Sequence, residues 1–333
     1  MGSSENSADG PLDESSSRIS GSVRPRTDPA TDPAETRAAA REATRHAASV
    51  TSPERLVADR LPPEPDYPRY RIEPGARIRL AEIDPDQSER YKKKKHVVDE
   101  LDAQRDRIRG LQARLYAEGR QSLLIILQAM DTGGKDGTVR GVFEGVNPQG
   151  CQVWSFKAPT RQELEQDFLW RYHAKAPPRG MIAIFNRSHY EDVLIVRVKG
   201  IVPEDVWRHR YPMINEFEHL LTLNRTTILK FFLHISRDEQ KRRLESRLAD
   251  PTKHWKFSSD DIRERAYWDQ YMAAYEDAIG NCSTAYAPWY VVPANKKWYR
   301  NLVIARTIAD TLEAMAPQYP PAEAGLESVV VPD

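Results

Sequence analysis

Cysteine is scarce in this chain. Two residues, Cys151 and Cys282, lie far apart among 333. That excludes a disulfide framework, argues against a thiolate metal site and suggests a reduced cytoplasmic protein. Net charge is absent too, since 49 basic residues balance 49 acidic ones. Bulk attraction to nucleic acid or to a membrane surface is not expected, so any polyanion site must be built locally. No apolar run reaches transmembrane length. The opening MGSSENSADG has neither a basic region nor an apolar core, and no signal peptide is expected. Aromatic residues are missing before Tyr67. A stretch so rich in Ser, Ala, Pro, Asp and Arg cannot bury enough surface to offset its ordering entropy. Residues 1–66 therefore read as a disordered tail, with a transient helix near 34–48.

What is present is concentrated further on. Residues 67–120 read as a helical extension packed on a core, with Leu101, Ile108, Leu111 and Leu115 at helical spacings. The run Lys92–Lys95 is either a solvated face or a holder of polyanion. From 121 to 316, short apolar runs alternate with helical patterns. The runs are Leu123–Leu127, Cys151–Phe156, Met181–Phe185, Ile228–Ile235 and Trp289–Val292, with helices expected over 161–174, 204–223, 237–248, 260–279 and 296–315. Apolar strands joined by helices predict a parallel sheet covered on both faces, hence a three-layer α/β/α sandwich. Residues 317–333 read as a short tail.

Three constellations carry chemistry. The first is QAMDTGGKDGT at 128–138, where an apolar strand runs into a glycine-rich turn. Gly133, Gly134 and Gly137 would let backbone amides approach phosphates, with Thr138 alongside, and Lys135 would bridge phosphate oxygens. A standard Walker A loop has Gly where Ala129 stands and Ser or Thr where Asp136 stands. Asp131 is too acidic to face phosphate directly and reads as a ligand of Mg²⁺ or of a metal-bound water. The second is FNRSHYED at 185–192, delivered by a strand to the same sheet edge. Arg187 can clamp a phosphate. Asn186 stands where metal or acceptor contacts are expected, and Glu191 or Asp192 reads as holding a metal-bound water or the acceptor, with Glu191 the chosen acceptor contact; Ser188 with Glu191 reads as a capping box. His189 reads as structural rather than as a general base. The third is the basic stretch Arg237, Lys241, Arg242, Arg243, Arg247, Lys253 and Lys256, expected to form a lid over about 237–262.

In this order, these clusters resemble the family-2 polyphosphate kinases from about 68 to 316. The strings FKAPT (156–160), DFLWRYH (167–173), HWKFSSDD (254–261) and APWYVVPA (287–294) add to the likeness. The resemblance implies a P-loop kinase core related to thymidylate kinase, with a lid. It implies reversible transfer of the terminal phosphate of inorganic polyphosphate to nucleotides, with Mg²⁺ or Mn²⁺, in a dimer or tetramer. Asp131 and Lys135 take the places of the family's Walker A acid and lysine, and Arg187 that of its phosphate-binding arginine. Arg243 and Arg247 are the expected polyphosphate contacts. Many members have Asp at the position of Asn186, which moves metal binding onto Asp131 with Glu191 as helper. The NRSHYED form resembles the subgroup accepting both AMP and ADP; guanine nucleotides stay open as acceptors. The competing readings are an ATP-dependent nucleoside monophosphate kinase and a non-catalytic polyphosphate-binding protein.

Overall fold

The structure is a computed structural model and describes residues 67–332 apart from Arg69. The tail expected over 1–66, with its transient helix, lies outside the described residues.

The fold grows from one strand. β2 (Ser122–Gln128) is buried along its whole length, as a strand with helices on both faces must be. Parallel neighbours flank it on both sides, β4 (Ile182–Asn186) and β5 (Thr226–His234). Beyond them lie β3 (Cys151–Ser155) and β6 (Trp289–Pro293), both parallel. A two-residue strand, β1 (Arg71–Ile72), pairs antiparallel with β6. The order is β1-β6-β5-β2-β4-β3. From β2 the chain moves outward to β3, returns to β4, then crosses to β5 on the other side. The C-terminal end of β2 is thus a topological switch point, where α/β sheets open a crevice for ligands.

The helices are α1 (Val98–Glu118), α2 (Lys135–Val142), α3 (Arg161–Leu164), α4 (Trp170–His173) and α5 (Ile195–Val198). They continue as α6 (Glu204–Leu223), α7 (Arg237–Leu248), α8 (Ser259–Glu264), α9 (Trp268–Cys282) and α10 (Lys297–Met315). α1 packs against α10. Ile108 and Leu115 of α1 are buried, as are Leu302, Ile304, Ile308 and Leu312 of α10. The expected extension is therefore fastened to the last helix of the core.

Three expectations need amendment. β3 is the free edge of the sheet, with Gln152, Val153 and Ser155 exposed, so its apolar letters do not mark a strand covered on both faces. The helix expected over 161–174 is two short ones. Asp167 Oδ1 accepts from Leu169 N at 2.9 Å between them, a local side-chain turn that competes with continuous helix. The helix expected over 260–279 breaks at a tight turn over Arg265–Tyr267 into α8 and α9.

Candidate active site

The glycine loop leaves β2 and enters α2 at the switch point. Gly134 caps α2 with φ +104°, a backbone conformation that side chains other than glycine rarely adopt. A Cβ on Gly133 would stand 2.4 Å from Ala129 Cβ. The loop is therefore too tight for side chains at either position. The first amides of α2 lack intrahelical partners and carry the positive end of the helix dipole.

Lys135 is half-buried, and its Nζ donates to Ala129 O at 2.9 Å. Burial and neighbouring Arg187 push its pKa down to about 8, against the pull of Asp131, Glu191 and Asp136. Arg187 Nη2 donates to Asp131 Oδ1 at 2.9 Å. Arg187 itself has φ 64° and Thr132 φ 62°. Two left-handed non-glycine residues facing one crevice are strain of the kind held at functional sites. Glu191 lies close by: with the Gln128 amide turned so that both its ends are satisfied, it donates to Glu191 Oε1 at 3.1 Å and accepts from Ser188 N at 3.2 Å. Glu191 and Asp131 hold the Arg187 guanidinium above its usual range, although burial opposes this.

The remaining expected site residues fall into two sets. Asn186 Nδ2 donates to Asp136 Oδ1 at 2.8 Å, and Lys256 Nζ lies 3.4 Å from Asp136 Oδ2. Burial works against ionisation of Asp136, yet Asn186 and Lys256 outweigh it and hold the carboxyl low. Asn186 thus sits at the rim of the loop. Arg247 Nη1 donates to Lys256 O and to Asp261 Oδ2, both at 3.1 Å, tying α7 to the segment after it.

Other residues stand differently from expectation. Gly137 and Thr138 belong to α2 and not to the loop, and Thr138 Oγ1 donates back to Gly134 O at 3.2 Å. Arg243 is buried. Its Nη1 donates to Thr132 O and Gly133 O, its Nη2 to Ala294 O and Asn295 O, and its Nε to Glu239. Its donors are spent on backbone carbonyls behind the loop, so it braces the loop where a contact to polyphosphate was expected. Ser188 caps a 3-10 turn over His189–Asp192 by accepting from Tyr190 N, and the expected capping box with Glu191 does not form.

His189 has the structural role expected of it. It is fully buried and bonds Glu218 through Nε2 at 3.1 Å. Glu218 also accepts from Tyr190 Oη at 2.9 Å and from Lys230 Nζ at 2.5 Å. Lys230 donates further to Tyr190 Oη and Cys282 O. This network underlies the turn that carries Arg187. Burial works against the Glu218 charge, but Lys230 and His189 outweigh it and hold the carboxyl below its usual range. The sequence reading missed Lys230, although a lone Lys inside TTILKFFLH was its signal. It also missed Arg300, behind the loop, and Asp261. Burial raises the Asp261 carboxyl, and the Asp131 charge adds to this.

The crevice gathers the cations of Lys135 and Arg187, loop amides and the carboxylates of Asp131 and Glu191. Such a set can neutralise a phosphate chain and position it. Among the described residues no group of three His, Cys, Asp or Glu side chains could hold a metal by itself. Mg²⁺ requires no such group, since it is commonly bound by one or two carboxylates plus substrate phosphates. No helix among the described residues is long and apolar enough to cross a membrane.

Comparison with known proteins agrees with this geometry. A family model described as Polyphosphate kinase 2 (PPK2) matches residues 90–320. The AMP/ADP-polyphosphate phosphotransferase of Meiothermus ruber is 52% identical over 264 residues, covering 79% of this chain and 99% of the relative. The ADP-polyphosphate phosphotransferase of Rhodopseudomonas palustris is 44% identical, covering 76% of this chain and 91% of the relative. Among solved structures, the crystal structure of Polyphosphate Kinase 2 from Arthrobacter aurescens TC1 superposes with a TM-score of 0.73 at 43% identity, covering 84% of this chain and 95% of that one. The fold is thus that of the P-loop kinase-like structures solved for this group, and the chain belongs to the polyphosphate kinase 2 family.

Proposed function

We propose that the chain transfers the terminal phosphoryl group of inorganic polyphosphate to AMP and ADP, reversibly. The observation that carries this reading is the convergence of Lys135, Arg187, Asp131 and Glu191 at the mouth of the glycine loop, in a chain 52% identical to an AMP/ADP-polyphosphate phosphotransferase.

In this mechanism the first amides of α2 and Lys135 hold the end of the phosphate chain. Arg187 holds the phosphate of the acceptor nucleotide, with Asn186 and Glu191 beside it. Asp131 is the carboxylate that would hold Mg²⁺ or Mn²⁺, which neutralises phosphate charge when bound. An acceptor oxygen attacks the terminal phosphorus in line, the bridging P–O bond breaks, and the chain leaves one unit shorter. The acceptor oxygen is already ionised, so no strong base is required, and His189 is sealed in its bond to Glu218. Catalysis rests on positioning and charge neutralisation. The segment over about 237–262 acts as the lid, with Arg247 within it. Asp136 stands where a Walker A loop has the Ser or Thr whose hydroxyl holds Mg²⁺, and it is held by Asn186 and Lys256; the missing hydroxyl speaks against ATP as donor. Assembly into a dimer or tetramer and use of guanine nucleotides complete the proposal.

The deciding assay supplies AMP or ADP with either polyphosphate or ATP as sole donor, with and without EDTA. ATP should form from ADP and polyphosphate, and EDTA should stop it. No product from polyphosphate would refute the reading.

A further inference from the structure

Arg300 is a buried guanidinium with no carboxylate partner among the described residues. It projects from the first turn of α10 and is 1% exposed. Its polar partners are neutral. Nε and Nη2 donate to Asn301 Oδ1 at 3.1 and 2.8 Å, and Nη1 reaches Gly133 O at 3.5 Å. Nη1 also occupies the space of the missing Gly134 side chain, 2.0 Å from where its Cβ would stand, and Nη2 lies 3.4 Å from the corresponding point on Gly137. The guanidinium therefore backs directly onto the glycine loop, on the side away from the crevice.

Its charged neighbour is another cation. Arg243 Nη1 stands 3.5 Å from the same Gly134 point, and both guanidinium groups reach Gly133 O. The carboxylate nearby is Glu239, which Arg243 shares with Arg242. Arg242 and Arg243 thus share that carboxylate, and Arg300 has no ion pair among the described residues. Burial and Arg243 together push Arg300 down to about 9. A buried cation without a counter-charge is costly, by several kcal/mol in general, and groups perturbed in this way cluster at functional sites.

We propose that Arg300 is a positioning residue for condensed phosphate: a buried cation behind the glycine loop whose counter-charge is the phosphate chain bound in front of it. It touches no substrate. It acts through the loop, filling the space that Gly134 leaves and adding positive potential to the amides of Gly134 and Lys135. The free protein carries the uncompensated charge, and binding of a polyanion relieves it. This role deepens the proposed function and rests on it.

The probe is tripolyphosphate, with AMP as the control ligand, titrated calorimetrically into the full chain. Arg300→Met should bind tripolyphosphate roughly tenfold more weakly while AMP binding stays within about twofold, and Arg300→Lys should recover most of the loss. Asn301→Asp gives a variant without a cavity. Its carboxylate would meet Arg300 where the neutral Oδ1 now does. It should raise the melting temperature of the free protein and, unlike a merely structural change, weaken tripolyphosphate binding at the same time. Wild-type affinity for tripolyphosphate in a folded Asn301→Asp protein would overturn the proposal, as would equal losses for tripolyphosphate and AMP in Arg300→Met. Failure of the functional reading looks different: the unmodified protein would then make no nucleotide from polyphosphate, and the proposal would fall with it.

Discussion

Replacing Gly134 with Ala should damage both fold and activity, whereas the same replacement at Gly110 should strengthen the protein. At Gly134 two effects add. The backbone is at φ +104°, and a left-handed conformation costs an L residue about 1–2 kcal/mol. The new methyl would also lie 2.0 Å from Arg300 Nη1 and 3.1 Å from its Cζ. Arg300 is enclosed and cannot swing into solvent, so it must give up hydrogen bonds such as those to Asn301. A hydrogen bond to a charged group is worth about 1.5–3 kcal/mol. The sum is about 2.5–5 kcal/mol, which lowers the melting temperature of a domain of this size by on the order of 10 °C. Gly110 lies exposed within α1, with nothing within 4 Å of its added Cβ. Ala there should stabilise by about 0.5–1 kcal/mol. Differential scanning calorimetry of the two variants, with polyphosphate turnover in parallel, checks the pair. A Gly134→Ala protein that melts within about 2 °C of the parent, with near-parental turnover, would refute the steric and conformational reasoning.

Lys230→Met should cost about 3–5 kcal/mol in urea unfolding, because it strands the buried Glu218 charge; adding Glu218→Gln should restore part of that loss, and a fully additive loss would contradict the network. Arg187→Gly should leave stability within about 1 kcal/mol, since it relieves a φ of 64° while removing a half-exposed pair with Asp131; turnover should nonetheless fall about 10²–10³-fold if the guanidinium serves the transferring phosphate, and retained turnover would exclude that role. Lys135 sets a pH signature. Its folded pKa, about 8, lies below its ordinary 10.5, so over this window the unfolded chain binds more protons than the folded one. Its contribution to stability should therefore rise as pH climbs from 8 towards 10.5, while polyphosphate affinity falls as the cation is lost. Calorimetric affinity and melting temperature measured across that range should move in opposite directions, and Lys135→Arg should flatten both trends.

Much of this molecule could be read from local patterns. The runs SLLIILQ and TTILKFFLH announce strands because continuous apolarity suits a strand with helices on both faces. Helices α6 and α7 begin and end where the sequence reading put them. The glycine loop was legible because Gly133 and Gly134 answer a steric demand set within a few residues. What escaped were the contacts between distant segments. Arg243 and Arg247 are four residues apart on one helix, and nothing local says that one braces the loop while the other ties down the segment after α7. Arg300 is separated from Gly133 by 167 residues, and its role exists only because α10 returns to the loop.

The sequence by itself therefore determined the central strands and the longest helices, the loop and its lysine, and the presence of Arg187 at a strand end. These follow from periodicity, turn chemistry and steric size, which act over a few residues. Tertiary structure decided which charges face the crevice and which lie behind it. That depends on the order of strands about β2 and on burial, and an arginine has the same letter whether it meets a phosphate or a backbone carbonyl.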